Sequence, residues 1–397
     1  MPRSPDIQEP DARLVFNSGG FRYELYRTLV KHRDYDTLLV VWRQPVGGGP
    51  RAQVILKPLD APHERDRHAR AREEVNLAMF LRHPNIAEVY GLATHEGVDY
   101  VVSEHMRGCY LLTIMDAAMI AGRKLSPAFA VSVAADVADA LDYAHGREDD
   151  ADRKLHIIHR AVGPLRIRLS FNGRVKLTNF GSAYSELRHR LPTPLGVLRG
   201  DPAYIAPEVL RAAAASRDKL MRSVAESSTD PLTAKEIDGR ADVFSLGLVL
   251  LEMLTGEYPL DPLETLVPRL PSRFPPNIVS ERPTWISLEM LANRVLRFGP
   301  AEVERAASEL PTRLQAILTR ALQPNPAERF ESASEMRNQL RLFLLNLPEP
   351  YAVIERASEL KSVLQEASRR WSSSSMELIE RGVLPLRPDM MDGNPSE

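Results

Sequence analysis

The sequence predicts an α+β protein in which strands come first and longer helices follow. The segments YELYRTLV and TLLVVWRQ flank polar KHRDYD, a pattern typical of two strands joined by a hairpin turn. Beyond the N-capping pair Ser126-Pro127, apolar residues recur at helical spacing, at Val131, Ala134, Ala138, Leu141 and Ala144. With 397 residues, 44% of them hydrophobic, the chain can bury a sizeable core.

Charge and cysteine content argue against several classes of protein. The 51 Lys and Arg residues against 53 Asp and Glu residues give a net charge of −2, so no overall basic field points to nucleic acid or an anionic membrane. The single cysteine, Cys109, cannot form an internal disulfide, and the N-terminus lacks the apolar stretch of a signal peptide. The longest apolar run, Leu246–Leu251, is far shorter than the ~20 residues that cross a bilayer. We therefore expect a cytoplasmic protein that binds neither nucleic acid nor membrane.

The first strands lack the glycines that hold phosphate groups. Residues 1–20 are polar and are predicted to form a flexible leader, and the turn at Gly47–Pro50 leads to a third strand, AQVILKPL. No glycine occurs between Arg22 and Val46, and the predicted hairpin tip carries larger residues, Lys31, His32, Arg33, Asp34 and Tyr35. Because glycine lets backbone N–H groups approach a phosphate closely, we do not expect this hairpin to cradle one.

Several spaced motifs carry a family resemblance. The stretch Ile157–Gly181 reads IIHRAVGPLRIRLSFNGRVKLTNFG, VILK ends at Lys57, and Ala206-Pro207-Glu208 follows downstream. In this order they resemble the catalytic core of bacterial-type serine/threonine protein kinases, over about Phe21 to Leu347.

The resemblance implies a bilobal protein-kinase-like fold with a small β-rich N-lobe, a larger helical C-lobe and a C-terminal helical tail. The boundaries it implies are a leader at 1–20, a kinase-like domain at 21–347 with lobes at about 21–105 and 106–347, and a helix with a disordered tail at 348–397.

The resemblance also implies structural contacts. Glu74 in REEVNLAMFLRHPNI occupies the position that pairs with Lys57, and we interpret the two as a retained ion pair that stiffens the N-lobe rather than as nucleotide ligands. Glu208 of the A-P-E motif is expected to pair with a late arginine, for which Arg329 is suited. Asp242 is expected to begin a buried helix and to anchor the backbone of the catalytic loop.

The positions that carry chemistry in the family have changed. In the H-R-D-x-x-x-x-N pattern the Asp accepts the substrate hydroxyl proton and the Asn holds a metal ion, while the Asp of D-F-G holds another. These positions are Ala161, Arg166 and Asn179 here. A threonine and a lysine that form one hydrogen-bonded unit with the catalytic Asp are replaced by Asp201 and Gly163. The resemblance therefore implies no catalytic residue and no metal site.

The slot that holds adenine in the family is altered as well. Side chains alternate along LRIRLS, so Arg166 and Arg168 point away from its apolar residues. Arg168 replaces the apolar floor and Ile55 the small alanine above it, with Ser103 at the gatekeeper position. Each change costs a purine on the order of 1–3 kcal/mol in overpacking or unpaired polarity. Binding of ATP or a metal is predicted to be absent or weak, so no cofactor is expected.

This pattern favours a pseudokinase, a non-catalytic signalling scaffold or allosteric regulator that acts through protein–protein interaction. Expected partners are proteins, among them an active kinase or members of its pathway. The alternative is a metal-independent nucleotide-binding protein with residual or unorthodox transferase activity, in which Arg166 replaces the cation. A third hypothesis is that Arg166 and Arg168 bind an acidic or phosphorylated peptide. Against the last two, the arginines could pair with local acids such as Glu104 or close the cleft themselves.

Three other segments extend the family pattern. Residues 211–236 are rich in Ala and Ser and could form a surface helix, and residues 260–300 are proline-rich before a helical stretch. In the tail, apolar residues alternate steps of four and three, at Val353, Ala357, Leu360, Leu364, Ala367 and Trp371. We expect this helix to dock on the larger lobe, with homodimerisation as the alternative, and to end near SSSS at 372–375.

Overall fold

A computed structural model of the chain describes residues 14–32, 35–58, 65–187, 200–212, 237–260 and 288–373. Two compact units are present. The first unit consists of the chain up to residue 75 together with 88–105, and the second unit consists of 76–87 together with the chain from 106 onward. The predictions for residues 1–13, for Arg33 and Asp34, and for most of the 211–236 and 260–300 segments lie outside the described residues, as does the tail after 373.

The first unit is built on an antiparallel sheet of order β1-β2-β3-β4-β6-β5. Its strands are β1 (Val15–Ser18), β2 (Phe21–His32), β3 (Tyr35–Pro45), β4 (Ala52–Pro58), β5 (Val89–His95) and β6 (Val98–Glu104). Helix α1 (Arg65–Ala78) follows β4. The hairpin and the third strand predicted from the sequence correspond to β2, β3 and β4, whose inward residues include Tyr23, Val41 and Leu56.

The last part of the predicted flexible leader is instead a strand. Val15–Ser18 forms β1, which pairs with β2 after a turn at Gly19 and Gly20, both at positive φ. Phe16 is only 6% exposed, and its ring stacks on Tyr23 with 5.0 Å between ring centroids. Burial of such a ring contributes about 1.5–3 kcal/mol, which explains why this polar-looking segment is ordered.

The second unit is mainly helical. Its helices are α2 (Leu111–Ile120), α3 (Pro127–His145), α4 (Arg240–Thr255), α5 (Leu288–Arg297), α6 (Pro300–Ala306), α7 (Thr312–Ala321), α8 (Ala333–Leu345) and α9 (Val353–Ser373). A small antiparallel sheet joins β7 (Gly108–Tyr110), β8 (Ile167–Ser170) and β9 (Val175–Leu177) in that order. The predicted N-cap is present, since the Ser126 side chain accepts a hydrogen bond from Phe129 N at 3.0 Å.

The buried core of the second unit forms around α3 and α4. Both helices bury almost every apolar side chain they carry, and the run Leu246–Leu251 lies entirely inside the core. Within the described residues, no helix combines the length and the apolar character needed to cross a membrane. A β-rich first unit and a helical second unit confirm the predicted α+β class.

The tail helix α9 packs as part of the second unit. Four of its apolar side chains lie in the same buried core as α2 and α3, namely Leu360, Val363, Leu364 and Ala367. Val353, predicted to begin the buried stripe, is instead 45% exposed, and the buried face starts at Arg356. The side chain of Trp371 lies outside the described residues.

Candidate functional site

Asp242, near the start of α4, fixes the backbone of the loop that precedes β8. Its side chain is fully buried. One carboxylate oxygen accepts a hydrogen bond from Arg160 N at 2.8 Å, and the other accepts one from His159 N at 2.8 Å. That second oxygen also lies 2.8 Å from His145 Nε2. Since a carboxylate accepts strong hydrogen bonds from backbone N–H groups, Asp242 holds positions 159 and 160 in one geometry.

His159 extends this fixed geometry to its neighbours. The ring is buried and meets the Phe180 ring edge-on, with 4.6 Å between centroids. Ala161 N donates to Nδ1 at 3.3 Å, and Nε2 lies 3.2 Å from Thr178 O, where the neutral ring can donate. Burial lowers the pKa of His159 to about 4, although Asp242 acts in the opposite direction. The histidine is therefore a neutral cross-link between two loops.

The positions of the catalytic base and its partners are filled by residues that fit together. Ala161 is buried and presents a methyl group. Asp201 Oδ1 accepts a hydrogen bond from Ala203 N at 3.0 Å and caps a short 3-10 turn. A Cβ atom on Gly163 would lie 3.1 Å from Asp201 Oδ2 and 3.0 Å from Tyr204 Cδ2. The structure therefore brings Gly163 and Asp201 together, and a lysine at 163 would require its neighbours to shift.

The two positions that hold metal ions in the family do not fit a magnesium site here. Asn179 adopts left-handed backbone angles, φ 61 and ψ 76, which asparagine tolerates better than most residues. Its side-chain oxygen accepts a hydrogen bond from Gly181 N at 3.2 Å. Arg166 donates its backbone N–H to Gly163 O at 2.9 Å and accepts from Thr178 N at 2.8 Å. These hydrogen bonds stabilise the loop geometry. Magnesium, however, needs oxygen ligands. The Arg166 guanidinium carries no oxygen, and the Asn179 side chain offers only one neutral oxygen, which already accepts a hydrogen bond.

Arg168 is a buried cation held by neutral groups. It lies in β8 and is 5% exposed. Nε donates to Met106 O at 3.0 Å, and one terminal nitrogen donates to Gly108 O at 3.3 Å. The guanidinium carbon lies 5.0 Å from the ring centroid of Tyr110, the residue directly opposite Arg168 in the β7–β8 pair. Among the described residues of the second unit, the Arg168 side chain therefore contacts neutral carbonyl groups and an aromatic ring rather than an acidic partner.

In the first unit, the structure brings together the predicted ion pair. Lys57 Nζ on β4 lies 3.9 Å from the carboxylate of Glu74 on α1, and Glu74 is buried. Ile55 is buried on the same strand and pairs across the sheet with Ser103 of β6. The residue expected above adenine therefore presents a branched, bulky side chain on a strand paired with β6.

The expected arginine–glutamate pair is present in the second unit. Arg329 is fully buried at its side chain and makes two hydrogen bonds with Glu208, at 2.7 Å and 2.8 Å. Further donors reach the carbonyl oxygens of Gln323, Arg240 and Pro324. A bidentate pair with extra backbone acceptors satisfies the buried charge, which is the condition under which such a pair can stabilise a fold.

Sequence reasoning missed the partners of Arg168. Met106 and Gly108 bind through backbone carbonyls, which no side-chain motif reveals. Gly108 is the sequence signal for this contact, because a glycine inside a strand often marks the close approach of another backbone. A Cβ atom at Gly108 would overlap the backbone of Leu169, so only glycine lets β7 approach β8 this closely.

The chain resembles known protein kinases over a stretch that includes residues of both units. The protein kinase domain family model matches residues 50–340, more than half of the chain. The tyrosine-protein kinase MasK of Myxococcus xanthus is 33% identical over 191 residues, covering 47% of this chain and 26% of MasK. The serine/threonine-protein kinase PknB of Mycobacterium leprae is 30% identical over 212 residues, covering 52% of this chain and 29% of PknB.

PrkC of Bacillus subtilis, also a serine/threonine-protein kinase, is 26% identical over 230 residues, which is 54% of this chain and 30% of PrkC. The matches thus span between about a quarter and a third of these curated relatives. The kinase domain of Mycobacterium tuberculosis PknI shares the fold with a TM-score of 0.50 and 22% identity, covering 82% of this chain and 97% of that domain. The chain belongs to the protein kinase domain family.

Proposed function

We propose that this member of the protein kinase family is a pseudokinase that acts as a non-catalytic signalling scaffold or allosteric regulator through protein–protein contacts. The observation that carries the proposal is the joint replacement at the base and metal positions, where Ala161, Arg166 and Asn179 stand. The relatives are named as kinases, so the proposed inactivity rests on residues of this chain alone.

The size of the missing contributions supports this proposal. General-base assistance typically contributes 10²–10⁴-fold to a rate, and kinase-type phosphoryl transfer depends further on metal ions that neutralise charge on the phosphates. A methyl group at 161 cannot accept a proton. Asn179 is neutral and already accepts a hydrogen bond from Gly181, so this position does not replace a metal-binding carboxylate.

Arg168 supports loss of nucleotide binding as well as loss of transfer. To open the space under an adenine ring, its guanidinium would have to leave two carbonyl acceptors and the Tyr110 ring. A hydrogen bond to a charged group contributes about 1.5–3 kcal/mol, so breaking two of them costs about 3 kcal/mol or more. That cost alone would weaken nucleotide affinity by about 100-fold. The same burial gives no support to the hypothesis that Arg168 binds an acidic or phosphorylated peptide.

A transfer assay tests the catalytic half of the proposal. Purified protein is incubated with γ-labelled ATP and magnesium or manganese, alone and with a general protein substrate, beside a Lys57→Ala variant. We expect no incorporation above that of the variant. Label that enters protein and disappears in Lys57→Ala would show that the chain is an active kinase.

Genetic rescue separates a scaffold from an enzyme. In the native cell, a gene encoding Lys57→Met is expected to restore any phenotype of the deletion strain as well as the wild-type gene does. Methionine keeps the length of the side chain and removes the charge that pairs with Glu74 at 3.9 Å. Failure of Lys57→Met at normal protein abundance would contradict a non-catalytic role.

A metal-independent nucleotide-binding protein is the second candidate, because the Lys57–Glu74 pair is retained and Arg166 adds a positive charge beside the loop. Thermal unfolding with ATP or GTP, with and without magnesium, tests it. A ligand at 100 times its dissociation constant stabilises a protein by about 2.7 kcal/mol. The pseudokinase proposal expects no shift at millimolar nucleotide, whereas a shift without metal would favour this candidate.

A further inference from the structure

The tail helix α9 makes buried polar contacts with the hairpin formed by β8 and β9. Arg356 is 3% exposed, and its Nε donates to Gly173 O at 2.7 Å in the turn of that hairpin. A terminal nitrogen of the same guanidinium bonds Asp136 of α3 at 2.6 Å. Arg356 therefore ties the hairpin turn to the central helix of the second unit.

Shape complementarity supports the same contact. Gly173 has φ +84, and a Cβ atom there would overlap the carbonyl oxygen of Val353 and lie 3.1 Å from Ala357 N. Only glycine lets the turn sit against the first turn of α9. The hairpin turn and the start of the tail helix are therefore fitted to each other.

A second polar cluster fixes the middle of α9. Glu359 accepts hydrogen bonds from Ser126 N at 2.8 Å and from the Ser126 hydroxyl at 2.6 Å, at the N-terminus of α3. The Tyr351 hydroxyl donates to Glu359 at 2.9 Å, and burial together with that carboxylate raises the pKa of Tyr351. Because α3 is held at its N-terminus and again at Asp136, α9 is anchored at two points on one helix.

We propose that α9 is a clamp that positions the β8–β9 hairpin, with Arg356 as the positioning residue, and thereby holds Arg168 against Met106 and Gly108. The hairpin has only a three-residue β9 strand, and its turn at Gly173 lies at the opposite end of β8 from Arg166. Loosening of α9 would let β8 move away from β7 and free the Arg168 guanidinium. Any partner that displaces α9 would thus change the surface around Arg168. The clamp holds whether or not the chain transfers phosphate.

Cys109 offers a built-in reporter of this movement. It is the single cysteine in the chain, lies in β7 directly opposite Leu169 of β8, and has its thiol pKa raised to about 11 by burial. The Cys109 side chain is only partly buried, but a thiol with a pKa of about 11 is almost entirely protonated at neutral pH and therefore reacts slowly. Its reaction with 5,5′-dithiobis(2-nitrobenzoate) therefore reports opening of β7 from β8. The Cys109 thiolate attacks the reagent disulfide, forms a mixed disulfide and releases one thionitrobenzoate anion per chain.

The test compares Arg356→Met with Arg123→Met in the full chain under native conditions. Arg123 also contacts α9, through Ser362 and Glu366, but it does not touch the hairpin. We expect Arg356→Met to raise the thiol reaction rate about tenfold or more, because loss of hydrogen bonds to a buried charge increases local opening. Arg123→Met is expected to stay within about twofold of the wild type.

Amide hydrogen exchange distinguishes a local clamp from general destabilisation. In Arg356→Met, amides of β8 and β9 are expected to exchange faster while those of α4 keep their wild-type rates. An unchanged thiol rate, an equal rise in Arg123→Met, or equal acceleration in α4 would overturn the proposal. If Arg356→Met does not fold, Arg356→Lys keeps the charge for Asp136 but cannot reproduce both hydrogen bonds. The thiol reaction rate and amide hydrogen exchange of Arg356→Lys are then compared with those of Arg123→Met, and the results expected for Arg356→Met apply to it unchanged.

Discussion

Two sets of residues in the second unit differ in whether they keep the residue types of the kinase family pattern. The frame residues make hydrogen bonds to charged groups, and they comprise His159, Asp242 and Arg329, which are buried, and Glu208, whose side chain is 11% exposed. The replaced residues occupy the positions of family chemistry, and they comprise Ala161, Gly163, Arg166, Asn179 and Asp201. The frame residues hold the loop backbone in place, whereas the replaced residues include Ala161 and Asn179 at two positions where the family pattern has a carboxylate.

The comparison shows that the loop geometry does not depend on the chemical groups. Each replacement has a local contact that accommodates it. Asn179 suits left-handed backbone angles, Gly163 leaves room for Asp201 and Tyr204, and Asp201 caps a turn. The frame contacts therefore do not require the family's catalytic residue types at positions 161, 163, 166, 179 and 201.

The largest effect is expected when a frame residue is removed. Arg329→Met leaves the Glu208 carboxylate without its bidentate partner and removes the hydrogen bonds that Arg329 donates to three backbone carbonyl groups. Loss of one partner of a buried ion pair costs about 3–5 kcal/mol. Urea unfolding should show a fall of that size in the free energy of unfolding.

Arg240→Met is the matched control for this prediction. Arg240 pairs with Asp238 at 2.6 Å on a partly exposed surface, so its loss should cost less than about 1 kcal/mol. Equal effects of the two variants would remove the distinction between buried frame residues and surface ion pairs.

A pH-dependent effect is expected next in size, at His159. Its pKa is about 4 in the folded chain against an ordinary value of 6.5, so the unfolded chain takes up the proton first as the pH falls. The contribution of neutral His159 is fully present above pH 6.5 and is lost progressively from pH 6.5 down to about pH 4. By pH 5 the gap of 1.5 units corresponds to about 2 kcal/mol.

The free energy of unfolding, measured at pH 7.5 and pH 5 in the wild type and in His159→Asn, isolates this effect from other titrating groups. The variant should lose about 2 kcal/mol less than the wild type over this interval. Equal losses in both proteins would mean that His159 is not a neutral buried cross-link.

The smallest effect concerns the fit among replaced residues. Gly163→Lys, which restores the family residue, should destabilise the fold by about 1–2 kcal/mol, because its Cβ would crowd Asp201 and Tyr204. The penalty should be smaller by about 0.5 kcal/mol or more when Asp201→Thr is also present. A double-mutant cycle by chemical denaturation measures this coupling, and purely additive effects would show that the two positions do not depend on each other.

The frame could be predicted from the sequence because its motifs lie at fixed spacings. The Glu208–Arg329 pair and the Asp242 anchor join residues that short motifs identify, and so does the Lys57–Glu74 pair of the first unit. The β2–β3 hairpin also followed from alternating apolar residues.

Contacts made through backbone groups or between distant segments could not be predicted in this way. Arg168 binds carbonyl oxygens, and Arg356 reaches Gly173 across 183 positions of sequence, so neither contact has a side-chain motif. Strand β1 was missed because a single buried ring, Phe16, provides most of its apolar contact in a short polar segment. The heptad pattern located α9 and three of its buried residues, Leu360, Leu364 and Ala367, but it included Val353, which is exposed, and missed Val363, which is buried.

Equilibrium binding of labelled ATP tests the central claim most directly, because it does not depend on finding a substrate. Dialysis would compare the wild type with Lys57→Ala, with and without magnesium. If the chain keeps the frame residues but does not bind nucleotide, neither protein should show saturable binding at millimolar ATP. Saturable, magnesium-dependent binding to the wild type that is lost in Lys57→Ala would contradict the account.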